Sequence, residues 1–156
     1  MTCAEGSSKR LIIQILVQGA NKLKKLDLSM IYGQAYGAER LMNGVNSIEE
    51  FYMQNLTVLT NNLGYFIVGG HNTLTKFKFF KSLKWENPDG VDIFQNFGLS
   101  SYTLITKESL LSFLNALPDI TSLTTKVYTL KIGAANMAKL TEDEIAAFTN
   151  KGYSLT

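Results

Sequence analysis

The sequence contains one cysteine, Cys3, and one histidine, His71. A single thiol excludes a disulfide framework and any multi-cysteine metal site. A single imidazole leaves little for histidine-dependent catalysis. Prolines number two and charged residues make up 18%, against 46% hydrophobic residues, so the chain is not of the disordered class. The net charge of +2 does not mark a nucleic-acid-binding surface. No apolar run approaches the roughly 20 residues that span a bilayer. The longest, 11–17, is interrupted by Gln14. Lys9 and Arg10 before it and Gly19 and Ala20 after it imitate a signal peptide. Because Gly19 and Asn21 belong to the repeat described next, 8–17 reads instead as a helix, within an N-terminal element of residues 1–18. The whole of 1–156 reads as a single domain.

What the chain does have is an internal period. The pattern apolar-x-x-apolar-x-apolar occurs at Leu23, Leu26 and Leu28, then at Ile48, Phe51 and Met53, and again at Leu74, Phe77 and Phe79. It returns at Leu99, Tyr102 and Leu104 and at Val127, Leu130 and Ile132, with a truncated copy at Tyr153 and Leu155. Aligned on residues 26, 51, 77, 102, 130 and 153, the spacings are 25, 26, 25, 28 and 23. A second signal keeps the register: Gly19 with Asn21, Gly44 with Asn46, and Gly70 with Asn72 each precede a copy. Glycine there suits a helix C-terminal cap, and asparagine the turn into a strand. The copies are expected to be parallel strands, with Leu26, Leu28, Phe51, Met53, Phe77, Phe79, Tyr102, Leu104, Leu130 and Ile132 pointing inward. Lys25, Glu50 and Lys76 then form one outward row, and Asp27, Tyr52, Lys78, Thr103 and Lys131 the next.

Between these strands a short helix is expected at 38–42, which can reach back to Gln34, and another at 55–63, where Leu56, Leu59 and Leu63 recur at helical spacing. The clearest is 107–117, with Thr106 as N-cap and Pro118 as stop. Thr141 to Glu144 has capping-box form and opens a helix to about residue 150.

A strand of this pattern every 20–29 residues, alternating with a helix, resembles a leucine-rich repeat. Residues 106–112 (Thr-Lys-Glu-Ser-Leu-Leu-Ser), 115–121 (Asn-Ala-Leu-Pro-Asp-Ile-Thr), 129–133 (Thr-Leu-Lys-Ile-Gly), 139–147 (Lys-Leu-Thr-Glu-Asp-Glu-Ile-Ala-Ala) and 149–156 (Thr-Asn-Lys-Gly-Tyr-Ser-Leu-Thr) are similar to a C-terminal element of the BspA-like type. That type occurs in gut-bacterial surface proteins and phage tail proteins. The sequence departs from the family where an asparagine is expected after each strand, holding Ile31, Leu56, Ser82, Lys107 and Ala135 instead. The resemblance implies an α/β leucine-rich-repeat solenoid with one parallel six-stranded sheet and helices on the other face. Repeats would occupy 19–133 and a C-terminal cap 134–156. It also implies a bacterial surface or phage-particle context, with adhesion or protein recognition as the activity and no shared catalytic residues.

Candidate chemistry is sparse. His71 lies in a turn of the repeat, where Ala20 and Val45 hold the matching positions. Cys3 has no base near it in sequence. Glu142, Asp143 and Glu144 sit in a helix's first turn, where negative charge is favoured without a metal. Neither a GxGxxG nor a Walker motif occurs. Lys76, Lys78, Lys81 and Lys84 interleave with Phe77, Phe79, Phe80 and Trp85 like a single-stranded nucleic-acid strip, but strand alternation accounts for them. The reading is therefore a non-enzymatic recognition module without cofactor or metal, binding a protein or cell-surface ligand, not binding nucleic acid and not inserting into a membrane. The candidate contacts are Asp27, Tyr52, Gln54, Lys76, Lys78, Phe80 and Trp85. The alternative is a structural subunit of a phage particle or surface assembly. Self-association through the N-terminal edge strand fits either, because residues 25–29 have no sequence-visible cap before them.

Overall fold

The computed structural model describes residues 20–36, 45–60, 73–78, 81–85 and 99–156, with the backbone alone described for 34–36, 58–60 and 83–85. Eight strands and three helices lie among these residues: β1 (Lys25–Asp27), β2 (Gly33–Tyr36), β3 (Glu50–Tyr52), β4 (Leu56–Thr60), β5 (Lys76–Lys78), β6 (Ser82–Trp85), α1 (Lys107–Ala116), β7 (Tyr128–Leu130), α2 (Ala134–Met137), α3 (Glu142–Thr149) and β8 (Tyr153–Leu155). The expected N-terminal helix over 8–17 lies outside the described residues, as do Phe79, Phe80 and the turn holding His71.

The expected architecture is not the one that forms. Instead of one six-stranded sheet backed by helices, the strands make two three-stranded sheets, β1-β3-β5 and β2-β4-β6, and a two-stranded sheet, β7-β8. The protein is mixed α/β with short sheets, not a leucine-rich-repeat solenoid. Two segments account for the difference. The expected helix at 38–42 lies outside the described residues, but its backward extension over 34–36 and the helix at 55–63 give way to strands: β2 and β4 lie there and pair in parallel, Gly33 with Leu56 and Gln34 with Thr57. Leu56, Leu59 and Leu63 keep a helical spacing, but Thr57, Val58 and Thr60 between them are β-branched and favour the pleat. Segment 99–104, whose pattern predicts a strand, forms turns, and Leu104 is 53% exposed rather than inward.

Within the first sheet the register is as the period requires. β1, β3 and β5 are parallel, with Leu26 beside Phe51 and Phe51 beside Phe77. Phe51 and Phe77 are fully buried, and Leu26, at the edge, is partly so. Lys25, Glu50 and Lys76 form one outward row and Asp27, Tyr52 and Lys78 the other. Neither row continues to Thr103 or Lys131, because α1 ends the sheet at β5. The Thr106 N–H donates to the Thr75 carbonyl at 2.9 Å, and the Phe77 N–H donates to Ser109 Oγ at 3.0 Å. Two of the backbone groups that a fourth strand needs are therefore already used.

The last third is built on caps. Thr106 Oγ1 accepts from the Ser109 N–H at the start of α1. Thr141 and Glu144 complete a reciprocal capping box on α3. β7 and β8 are parallel, with Tyr128 beside Tyr153 and Leu130 beside Leu155. That register is two residues from the expected pairing of Leu130 with Tyr153, a shift that keeps each side chain on its face. Gly152, at φ +92°, makes the turn into β8, where an added Cβ would stand 2.7 Å from Ile120 Cγ1. The core unites both regions: Phe51 and Phe77 of the first sheet, Phe113 and Leu114 of α1, Phe148 of α3 and Tyr153 of β8 all belong to one buried cluster.

Candidate functional site: the outer face of the first sheet

Pleating puts residues 25, 27, 50, 52, 76 and 78 on the side of the sheet opposite the core. Parallel pairing then sets opposite charges beside one another. Glu50, in the middle, lies between two lysines: Oε1 is 3.4 Å from Lys76 Nζ, and Oε2 is 3.5 Å from Lys25 Nζ. Partial burial pushes its carboxyl up, but hydrogen bonds and charge from Lys76, then Lys25 and Tyr52, outweigh this and hold it below the ordinary value. Beside this row, Lys24 Nζ and Glu49 Oε1 are 2.6 Å apart, and both side chains are half exposed. Exposed pairs of this kind contribute at most about 1 kcal/mol each.

Tyr52 stands at the centre of the second row. Its hydroxyl donates to Glu50 Oε2 at 3.3 Å, and Lys25 Nζ lies 5.1 Å from its ring centroid, a cation–π distance. Burial and the Glu50 charge raise the phenol above its ordinary value, so it remains a donor at neutral pH. Asp27 on one side accepts from the Ser29 N–H at 3.0 Å; the bonds from Ser29 lower its carboxyl. Lys78 on the other side is exposed and makes no ion pair among the described residues.

The structure thus brings together four of the seven expected contacts: Asp27, Tyr52, Lys76 and Lys78. Gln54 lies just beyond, in the turn after β3, partly buried, with its Oε1 buried and without a hydrogen-bond partner among the described residues. Its neighbour Asn55 donates to the Ser29 carbonyl at 2.6 Å and so ties the turn after β3 to the turn after β1. Phe80 lies outside the described residues. Trp85 ends β6 and belongs to the other sheet, with only its backbone described.

A second polar cluster escaped the sequence reading. Asn136 is fully buried, and its Nδ2 donates to the carbonyls of Leu99, Ile132 and, at 3.4 Å, Tyr102. Its Oδ1 accepts from Lys139 Nζ at 2.7 Å; that ammonium also donates to the carbonyls of Thr103 and Ile105. Burial lowers the Lys139 pKa. Every donor of the ammonium is used, so the cluster fastens the 99–105 turns onto α2 and leaves nothing for a ligand. The available signal was an asparagine in the apolar run Ala134 to Ala138, one residue from the place where the repeat pattern called for one and held Ala135.

Among the described residues no group of three or more His, Cys, Asp or Glu side chains could hold a metal. No helix among them is long and apolar enough to cross a membrane. Comparison with family models, with curated proteins and with solved structures gives no match.

Proposed function

We infer that the chain is a non-enzymatic recognition module that engages a protein or cell-surface ligand through the outer face of the first sheet. The observation that carries this reading is the Asp27–Tyr52–Lys78 row. It is an aromatic hydroxyl ordered by Glu50 and Lys25, with a carboxylate on one flank and, on the other, an ammonium without an ion-pair partner among the described residues. Tyrosine fixed at the centre of a polar rim is the composition of interface hot spots. The rim charges set orientation and encounter rate more than affinity. The resemblance to BspA-like repeats lends this reading no support, because the architecture that it implied is not formed.

The test is binding of the intact chain to arrayed surface glycans, purified surface proteins and whole bacterial cells. Tyr52→Ala and Lys78→Ala are compared with the distal control Lys126→Ala. The expected result is a bound probe whose affinity falls about tenfold or more with Tyr52→Ala, while the control binds unchanged and all variants stay within about 1 kcal/mol in stability. A bound probe indifferent to both face variants moves the site elsewhere, and no binding across the panel rejects recognition by this face.

The second reading, a structural subunit of a particle or surface assembly, is favoured by a different observation. Met30 is 82% exposed and Tyr32 69% exposed, and both sit in the connection between β1 and β2, the edge strands of their two sheets. Exposed apolar side chains beside strands that end their sheets among the described residues suit packing against another subunit.

A further inference from the structure

The first sheet ends differently on its two sides. On the β5 side, the Thr75 carbonyl and the Phe77 N–H, which point away from β3, are bonded by Thr106 and Ser109. On the β1 side, the Lys24 carbonyl accepts from the N–H groups of Glu49 and Glu50, and the Leu28 N–H donates to the Tyr52 carbonyl. Residues 24, 26 and 28 therefore direct their backbone groups at β3, and Lys25 and Asp27 direct theirs away. Those of Lys25 and Asp27 have no hydrogen-bond partner among the described residues.

We propose that a second copy of this chain closes that edge, in an antiparallel twofold pairing centred on Leu26. The seam is specific to the copy because β1 is self-complementary in one register alone. Outward backbone groups can meet only outward groups, so three antiparallel registers bring these residues together: Lys25 on Lys25, Asp27 on Asp27, or Lys25 on Asp27. The first two oppose like charges, which destabilises a directly facing pair. The third sets ammonium against carboxylate twice, and each such pair exchanges two backbone hydrogen bonds at a Cα separation of about 5.5 Å. All four orphan groups of each copy are then used. The same register places Leu26 opposite its symmetry mate. Leu26 is the partly open member of a row whose other members, Phe51 and Phe77, are fully buried. The exposed Met30 and Tyr32 flank the seam. Head-to-tail growth is excluded because α1 occupies the β5 edge, which leaves the isologous arrangement. The seam holds whether or not the outer face has a ligand.

Sedimentation velocity of the intact chain over a concentration series is expected to show a dimer. Lys25→Asp and Asp27→Lys each set like charges across the seam and weaken dimerisation about tenfold or more. The double variant exchanges the charges, leaves them opposite, and restores it. Independently, Leu26→Cys in a Cys3→Ser background forms a disulfide-linked dimer on mild oxidation, a readout that stands even where a charge variant loses its fold. A monomer throughout the series overturns the proposal, whether the edge is merely tolerated or covered by another segment of the chain. So does a dimer indifferent to both single exchanges, a double variant no better than the singles, or a Leu26→Cys chain that never cross-links.

Discussion

The first sheet and the last third solve the same problem by opposite means. β1, β3 and β5 are three residues each, and nothing local holds any of them extended; each owes its conformation to a neighbour about 25 residues away in sequence. α1 and α3 begin at caps supplied by residues three positions apart, Thr106 with Ser109 and Thr141 with Glu144. The sheet is stabilised chiefly by stacking Phe51 on Phe77 and Leu26, a gain in buried area. The last third adds a buried polar cluster around Asn136 in which every donor is matched. The difference teaches that the sheet is sensitive to volume, whereas the last third is sensitive to single hydrogen-bonding atoms.

Substitutions can break that comparison or sharpen it. The largest effect is expected from Phe51→Ala, which empties the middle of the buried row and costs about 3–5 kcal/mol in urea denaturation. If the two regions are separable, hydrogen exchange quickens in β3 and β5 while the amides of α3 keep their protection. Equal loss in both would show one cooperative unit. Asn136→Ala comes next. It strips three carbonyls of a buried donor and leaves the Lys139 ammonium one acceptor short, at a cost of about 2–4 kcal/mol. Asn136→Asp, which keeps the shape and loses the donor, is expected to be nearly as harmful; a mild phenotype for both would reduce the cluster to a volume filler. The smallest effect is at acid pH. Glu144 is held below its ordinary value of 4.5, first by the Thr141 N–H and then by Lys107. A carboxylate lowered in the folded state stabilises it above the unfolded value, and that stability fades as pH falls through the folded one. The melting temperature should therefore drop below about pH 4.5, and Glu144→Gln should flatten part of that drop without altering the neutral-pH response of the sheet.

What was legible in the sequence follows the same division. Helices α1 and α3 could be read because their signals are adjacent residues: Thr106 and Pro118 bracket one, and Thr141 with Glu144 opens the other. The partners of β1, β3 and β5 could be read because the period repeats Leu26 at Phe51 and Phe77. The conformation between those strands could not. Leu56, Leu59 and Leu63 serve a helix by spacing, and Thr57, Val58 and Thr60 serve a strand by branching; only the pairing of β4 with β2 and β6 decides between them. The end of the sheet was equally hidden. Tyr102 matches the strand pattern and is buried, yet the position that a fourth strand would take belongs to α1, a competition between elements that no hexamer encodes. Of the candidate site, the residues on β1, β3 and β5 were found through the period. Asn136 and Lys139 were missed because the three carbonyls that make Asn136 necessary come from 99, 102 and 132, distant in sequence.

The bonds from Thr106 to Thr75 and from Ser109 to Phe77 also order events in time. A capped ten-residue helix forms within about a microsecond, whereas parallel strands must first close long loops. α1 can therefore sample its helix before β5 docks, although so short a helix is marginal alone and is completed by packing on the strand. A long-lived stage in which that edge is bare and able to recruit another molecule is not expected. Among the described residues the opposite edge has no such guard, and refolding yield should depend on concentration through β1 more than through β5.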